Sequence, residues 1–202
     1  LAEISLKKPQ GREWDTISRL VGDAIPHYLV SHLGQNFGSL YYQHLTAHPG
    51  TCSLAAYDRS DNIAGFVLGT LNSKAARRLT LPVLSRLLLA ANVKLLSPTF
   101  LGWLIRGVPD MIRGWKRPLQ YPDARLAILV VSPEFRGQGL SLQLLNTLEE
   151  FFCQHQLQSP YCILTEKANL VANRFYKKIG ARFVKTYMHH GREINEWHKL
   201  IT

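Results

Sequence analysis

The chain has 202 residues, of which 46% are hydrophobic, enough for one folded domain with a sizeable core and too apolar for a disordered segment. Three cysteines, Cys52, Cys153 and Cys162, are too few and too scattered for a disulfide framework or a metal-ligand spacing. Each reads as a small buried hydrophobe, with a reducing cytoplasm as the expected compartment. The net charge of +10 is uneven: residues 71–120 hold nine basic side chains and one acid, Asp110, so that segment is +8 and the rest of the chain +2. A local basic excess argues for an anionic partner at that place.

Residues 1–10 alternate polar and apolar side chains and lack the apolar centre of a secretion signal. Within them, Ile4 and Leu6 predict a strand over 3–7. Residues 12–24 predict a helix with Trp14, Ile17, Leu20 and Val21 on one face, ended by Pro26. A second helical pattern runs over 33–44 through Phe37, Leu40, Tyr41 and Leu45, closed by Pro49 and Gly50. Strands over 51–57 and 63–71, joined by the polar run 58–62, predict a hairpin.

The basic segment follows. Over 79–96, Val83, Leu84, Leu87, Leu88, Ala91 and Leu95 share a helical face, Leu81 and Leu89 widen it, and Arg86 lies opposite. Ser97 and Pro98 break the run, and a second apolar stretch covers 100–115 with Trp103, Met111 and Trp115. No apolar run reaches the ~18 residues of a membrane span, so this segment is expected to lie on a surface rather than cross a bilayer.

Residues 124–131 predict a buried strand and 139–156 a helix with Leu144, Leu145, Leu148, Phe151 and Phe152 at the 3.6 period. A strand over 161–165, a helix over 169–179 capped by Gly180, and strands over 183–188 and 192–200 complete the chain. Between the strand ending at Val131 and the helix lies a turn with Gly137 and Gly139. Backbone N–H groups, a helix N-terminus and glycine together make an anion site, and a pyrophosphate is its expected guest.

Three features align: Val131-x-Pro133-x-x-Arg136-Gly137-x-Gly139-x-Ser141 between strand and helix, Asn169-x-x-Ala172-x-x-Phe175-Tyr176-x-x-x-Gly180 about thirty residues on, and the two-helix, hairpin order upstream. In these the chain resembles the GNAT superfamily of N-acetyltransferases. The resemblance covers most of 1–202 in element order and is strongest in motif over 124–184. It implies a single α/β (α+β) domain with a mixed, mostly antiparallel sheet flanked by helices. Residues 72–120 then form a helical insert between the third and fourth strands, where relatives have a short connection.

The resemblance implies acetyl-CoA as donor. Backbone N–H groups of Arg136, Gly137, Gln138, Gly139, Leu140 and Ser141 would hold its pyrophosphate, with Ser141 standing where the family prefers Gly or Ala. The fourth strand would splay from the fifth at a bulge, and Leu129, Val130 and Val131 would bond the pantetheine arm through their main chain. An N–H near Leu129 would face the thioester oxygen, where negative charge develops. Tyr176 matches the family's general acid. Asn169 reads as a helix cap and, in the family, as a pantetheine contact as well.

No general base is evident: Asp123, Glu166, His27 and a water chain remain candidates. His189 and His190 read as turn residues, and no metal is expected. The acceptor is an amine, such as an amino sugar or another small molecule, with a protein or peptide amine as the alternative. A non-catalytic acyl-CoA-binding module is the reading from another class. For 72–120 the expectations are a lid, packing against the domain or a second copy, or a peripheral anionic membrane. No nucleic-acid reading motif is present, so nucleic acid is not an expected partner.

Overall fold

A computed structural model describes residues 4–26, 28–91, 122–189 and 191–201. His27, His190 and residues 92–121, which contain the stretch 100–115 and most of the insert, lie outside the described residues.

Strand β1 (Ser5–Lys7) leads into helix α1 (Glu13–Ala24), a short helix α2 (Leu29–Leu33) and helix α3 (Gln35–Thr46). Strands β2 (Thr51–Tyr57) and β3 (Ile63–Thr70) form the expected hairpin. Helices α4 (Ser73–Ala76) and α5 (Leu81–Ala91) open the insert. Beyond it come strand β4 (Arg125–Val131), helix α6 (Leu140–Gln154), strand β5 (Tyr161–Glu166), helix α7 (Leu170–Lys178), and strands β6 (Arg182–His189) and β7 (Arg192–Lys199). The strands make one sheet in the order β1-β2-β3-β4-β5-β7-β6. Its pairs are antiparallel except β4 with β5.

Three sequence expectations change. The helix expected over 33–44 is α3, which begins at Gln35, and a short helix α2 precedes it where a loop is expected after Pro26; Gly34, at φ 98 and ψ 170, parts the two in a backbone conformation open to glycine and outside any helix. The phase of α3 differs as well: Tyr42 is buried and Leu40 points outward. Cys153 is exposed, whereas Cys52 and Cys162 are buried. In α5, Leu87 is buried while Leu81, Leu84 and Leu89 are exposed, so the described part of the insert keeps an apolar surface.

The sheet is covered on both sides. On one face Trp14, Ile17 and Val21 of α1 and Tyr42 of α3 pack on Phe66, Leu68, Ile128 and Val130. On the other, Leu144, Leu145, Leu148 and Phe152 of α6 and Tyr176 of α7 pack on Val67, Leu126, Ile163 and Trp197. At Gly69 a Cβ would lie 2.5 Å from Leu148 Cδ1, so glycine is what lets α6 seat this close to β3.

One polar contact ties α6 to the sheet. Glu149 Oε1 accepts from the Tyr161 hydroxyl of β5 at 2.5 Å and pairs with Lys199 Nζ of β7 at 2.7 Å. Both charged side chains are largely buried, at 14% and 9% exposure. Removing one partner leaves the other charge in the core without compensation. We expect Glu149→Ala to lower unfolding stability by ~3 kcal/mol, read from the urea midpoint, and Glu149→Leu combined with Lys199→Met to recover part of the loss.

Candidate functional site

β4 and β5 pair through only two rows, Arg125 with Cys162 and Leu126 with Ile163. Past them both strands continue, to Val131 and Glu166, with no further pairing between them. The register between β3 and β4 skips at the same level, since Leu68 faces Ile128 and Gly69 faces Leu126. Ala127 is therefore an extra residue, a β-bulge.

The bulge decides which main-chain groups face the opening. Ala124 O accepts from Cys162 N–H on the β5 side at 2.9 Å, and Ser132 N–H donates to Ala64 O on the β3 side at 2.9 Å. Strand groups alternate direction. Counting back from Ser132 turns Val130 to β3, and Leu129 and Val131 to the opening. Side chains report the same shift. Ala127 and Ile128 both pack on the α1–α3 face, after which Leu129 and Val131 pack on the α6 face. Of the three β4 residues expected to offer main-chain groups, Leu129 and Val131 are so placed, and the Val130 main chain is turned to β3.

At the mouth of the opening the chain makes a 3-10 turn over Pro133–Phe135 and then the glycine turn. Gly137 has φ 75 and Gly139 φ 83, conformations that L residues adopt at a cost of ~1–2 kcal/mol. A Cβ at either would meet nothing within 4 Å, so the backbone conformation, not crowding, calls for glycine. Arg136, Gly137, Gln138 and Gly139 are exposed, Leu140 is buried, and Ser141 is half-buried. No side chain caps the start of α6. Its first N–H groups, at Leu140 and Ser141, have no acceptor within the helix, and the helix dipole adds positive potential there. Arg136 Nε donates to Val131 O at 3.2 Å, which holds the arginine across the end of β4. A cleft of about 470 Å³ adjoins the turn, lined by Phe135, Gln138, Gly139 and Leu142 among others.

Helix α7 carries Tyr176 into the core on the α6 side of the sheet, at 7% exposure and in one cluster with Leu144, Leu148 and Ile163. Burial pushes its hydroxyl well above the ordinary tyrosine range, so it holds its proton across neutral and alkaline pH. Asn169 caps α7, its Oδ1 accepting from Ala172 N–H at 3.1 Å. The base candidates are less apt. Asp123 is exposed and pairs with Lys74 at 3.7 Å. Glu166 pairs with Arg192 at 2.7 Å.

The sequence reading missed two groups of residues. Asn173 joins α7 to the sheet: its Oδ1 accepts from Thr165 Oγ1 at 2.6 Å, Asn195 Nδ2 at 3.1 Å and Trp197 Nε1 at 3.3 Å, and its Nδ2 donates to the carbonyls of Glu166, Lys167 and Asn169. The second group, on the opposite face, is Cys162, Glu196 and His198, whose polar atoms lie within 4.8 Å of one another. Arg125 hydrogen-bonds the thiol and Lys185 Nζ lies 3.7 Å from Glu196, so cations already occupy the surroundings a metal ion would need. Burial pushes the Cys162 thiol up to about 11, against the lowering effect of Arg125; it is a thiol at neutral pH, a poor start for a covalent acyl-enzyme. A buried acid in the middle of β7 was the available sequence signal.

The family model for the acetyltransferase (GNAT) family matches residues 17–181. Among solved structures, the chain is similar to Arabidopsis thaliana NAA60 in complex with acetyl-CoA, at 16% identity over 98% of both chains and a TM-score of 0.61. It is also similar to the ribosomal-protein-S18-alanine N-acetyltransferase from Escherichia coli, at 11% identity over 99% of this chain and 95% of that one, with a TM-score of 0.58. A spermidine N-acetyltransferase chimera from Vibrio cholerae matches at 12% identity over 98% and 96%, with a TM-score of 0.60. A search of curated protein sequences gave no match.

The two asparagines of this region differ in what they hold. Asn169→Ala removes one cap and should cost ~1 kcal/mol. Asn173→Leu strips partners from three side chains and three carbonyls and should cost ~2–4 kcal/mol; urea unfolding of the two variants measures the order.

Proposed function

The chain belongs to the GNAT family of acetyltransferases, and on that premise we propose that it moves the acetyl group of acetyl-CoA to a primary amine by direct transfer in a ternary complex. The observation that carries the reading is the parting of β4 from β5, with the main chain of Leu129 and Val131 turned into the opening and the glycine turn at its mouth.

Arg136 to Ser141 hold the pyrophosphate through backbone N–H groups and the start of α6. Leu129 and Val131 bond the pantetheine arm as a strand would. The Leu129 N–H aims at the thioester oxygen and stabilises the charge that develops there as the amine attacks. Tyr176 donates its hydroxyl proton to the departing thiolate, and the thiol form of Cys162 favours direct transfer over an acyl-enzyme.

The acceptor we propose is a small-molecule amine such as an amino sugar. A protein or peptide amine is the second reading, supported by a neighbour of like fold that is named for acetylating a ribosomal protein. Among the described residues no helix is long and apolar enough to cross a membrane.

Calorimetric titration should show acetyl-CoA binding by the wild type and none by Arg136→Glu; an inert wild type overturns the reading. Tyr176→Phe should lower kcat by ~10²-fold or more with acetyl-CoA affinity unchanged. Unchanged turnover would remove the general acid.

A further inference from the structure

We propose that His198, held by Glu196, is the group that takes the proton from the acceptor amine. This rests on the acetyltransfer reading and supplies the base that the sequence does not reveal.

The argument begins with strand alternation. Tyr161, Ile163 and Trp197 pack on the α6 face, so Cys162 on β5 and Glu196 and His198 on β7 present their side chains on the opposite one. The register sets Cys162 between Arg125 of β4 and His198 of β7. The next row, Leu126 with Ile163, is the last before β4 and β5 part, so the pair lies one row below the closed end of the opening. A thioester fed down the opening from the glycine turn arrives at this end. An amine approaching from this face meets His198.

The pair is built like an oriented base. Glu196 is 1% exposed, and its Oε1 lies 2.6 Å from His198 Nε2. The carboxylate takes the Nε2 hydrogen, which fixes the tautomer and leaves Nδ1 as the basic nitrogen. His198 keeps 13% of its side chain exposed, enough for contact with a ligand or with one bridging water. The titratable and charged groups facing the pair are Cys162 on β5, Arg125 on β4, Lys185 and Arg182 on β6, and Arg77 after α4.

In the step, the acceptor's ammonium gives one proton to Nδ1 and becomes an amine. Its lone pair forms the N–C bond, the C–S bond breaks, and the thiolate takes the proton of Tyr176. The second proton on nitrogen leaves to solvent, from which Tyr176 is restored.

The test uses the full chain with acetyl-CoA and a panel of primary amines, reading released CoA across pH. For the best acceptor, wild-type kcat/KM should fall as pH drops through the imidazole range. His198→Gln should lose that acid limb and drop kcat/KM at neutral pH by ~10²-fold, with acetyl-CoA affinity unchanged. His198→Ala should regain rate on addition of free imidazole, which a merely structural role would not produce. An unchanged pH profile in His198→Gln, or a wild-type profile without the acid limb, overturns the assignment and leaves acetyltransfer intact. A wild type that binds no acetyl-CoA, or turns over no amine, overturns the parent reading and this one with it.

Discussion

A parallel pair of strands that separates after two rows leaves main-chain groups of β4 with no strand to bond on that side, the Val131 carbonyl accepting from Arg136 Nε instead. The rest of the structure is organised around that opening. Ala127 sets its parity: were it an ordinary residue of the ladder rather than a bulge, the alternation that begins at Ala124 would turn Ile128 and Val130 into the opening and Leu129 and Val131 against β3. The bulge thus keeps β4 fully bonded to β3 on one side while choosing the groups it shows on the other.

An opening of this kind survives only in a stiff frame. On the α6 side, Glu149 fastens the helix to β5 and β7 through Tyr161 and Lys199, and Gly69 lets Leu148 seat against β3. On the α7 side, Asn173 gathers Thr165, Asn195 and Trp197. Asn173 lies one helical turn before Tyr176, so the same contacts that hold α7 on the sheet fix where the buried phenol sits. Position and stability are in this region one property.

Much of this was legible in the chain itself. Periodicity gave the strands and the long helices to within a few residues, and Gly137, Gly139 and Tyr176 stand out as candidates because glycine turns and the spacing of Asn169 to Gly180 are local signals. Three things were not local. The short helix α2 lies in what reads as the loop between α1 and α3, and Gly34, at φ 98, separates it from α3. Val130 belongs to the same run as Leu129 and Val131, and the direction of its main chain depends on a bulge set by pairing with β3. Cys162, Glu196 and His198 come from two strands and converge through register alone; in the sequence they are a small hydrophobe and two polar positions of an ordinary strand.

The stretch of β4 that has no partner in β5 has a consequence for the lifetime of the protein. On the proposed reading the donor's pantetheine arm fills a vacancy in the sheet, so the ligand-free molecule is an unfinished fold and the donor is its last strand. A ligand bound by the folded state alone adds ~2.7 kcal/mol at one hundred times its dissociation constant, a sizeable share of the ~5–15 kcal/mol of a whole domain. The supply of activated acetyl groups would then set how long each copy resists unfolding as well as how fast it works.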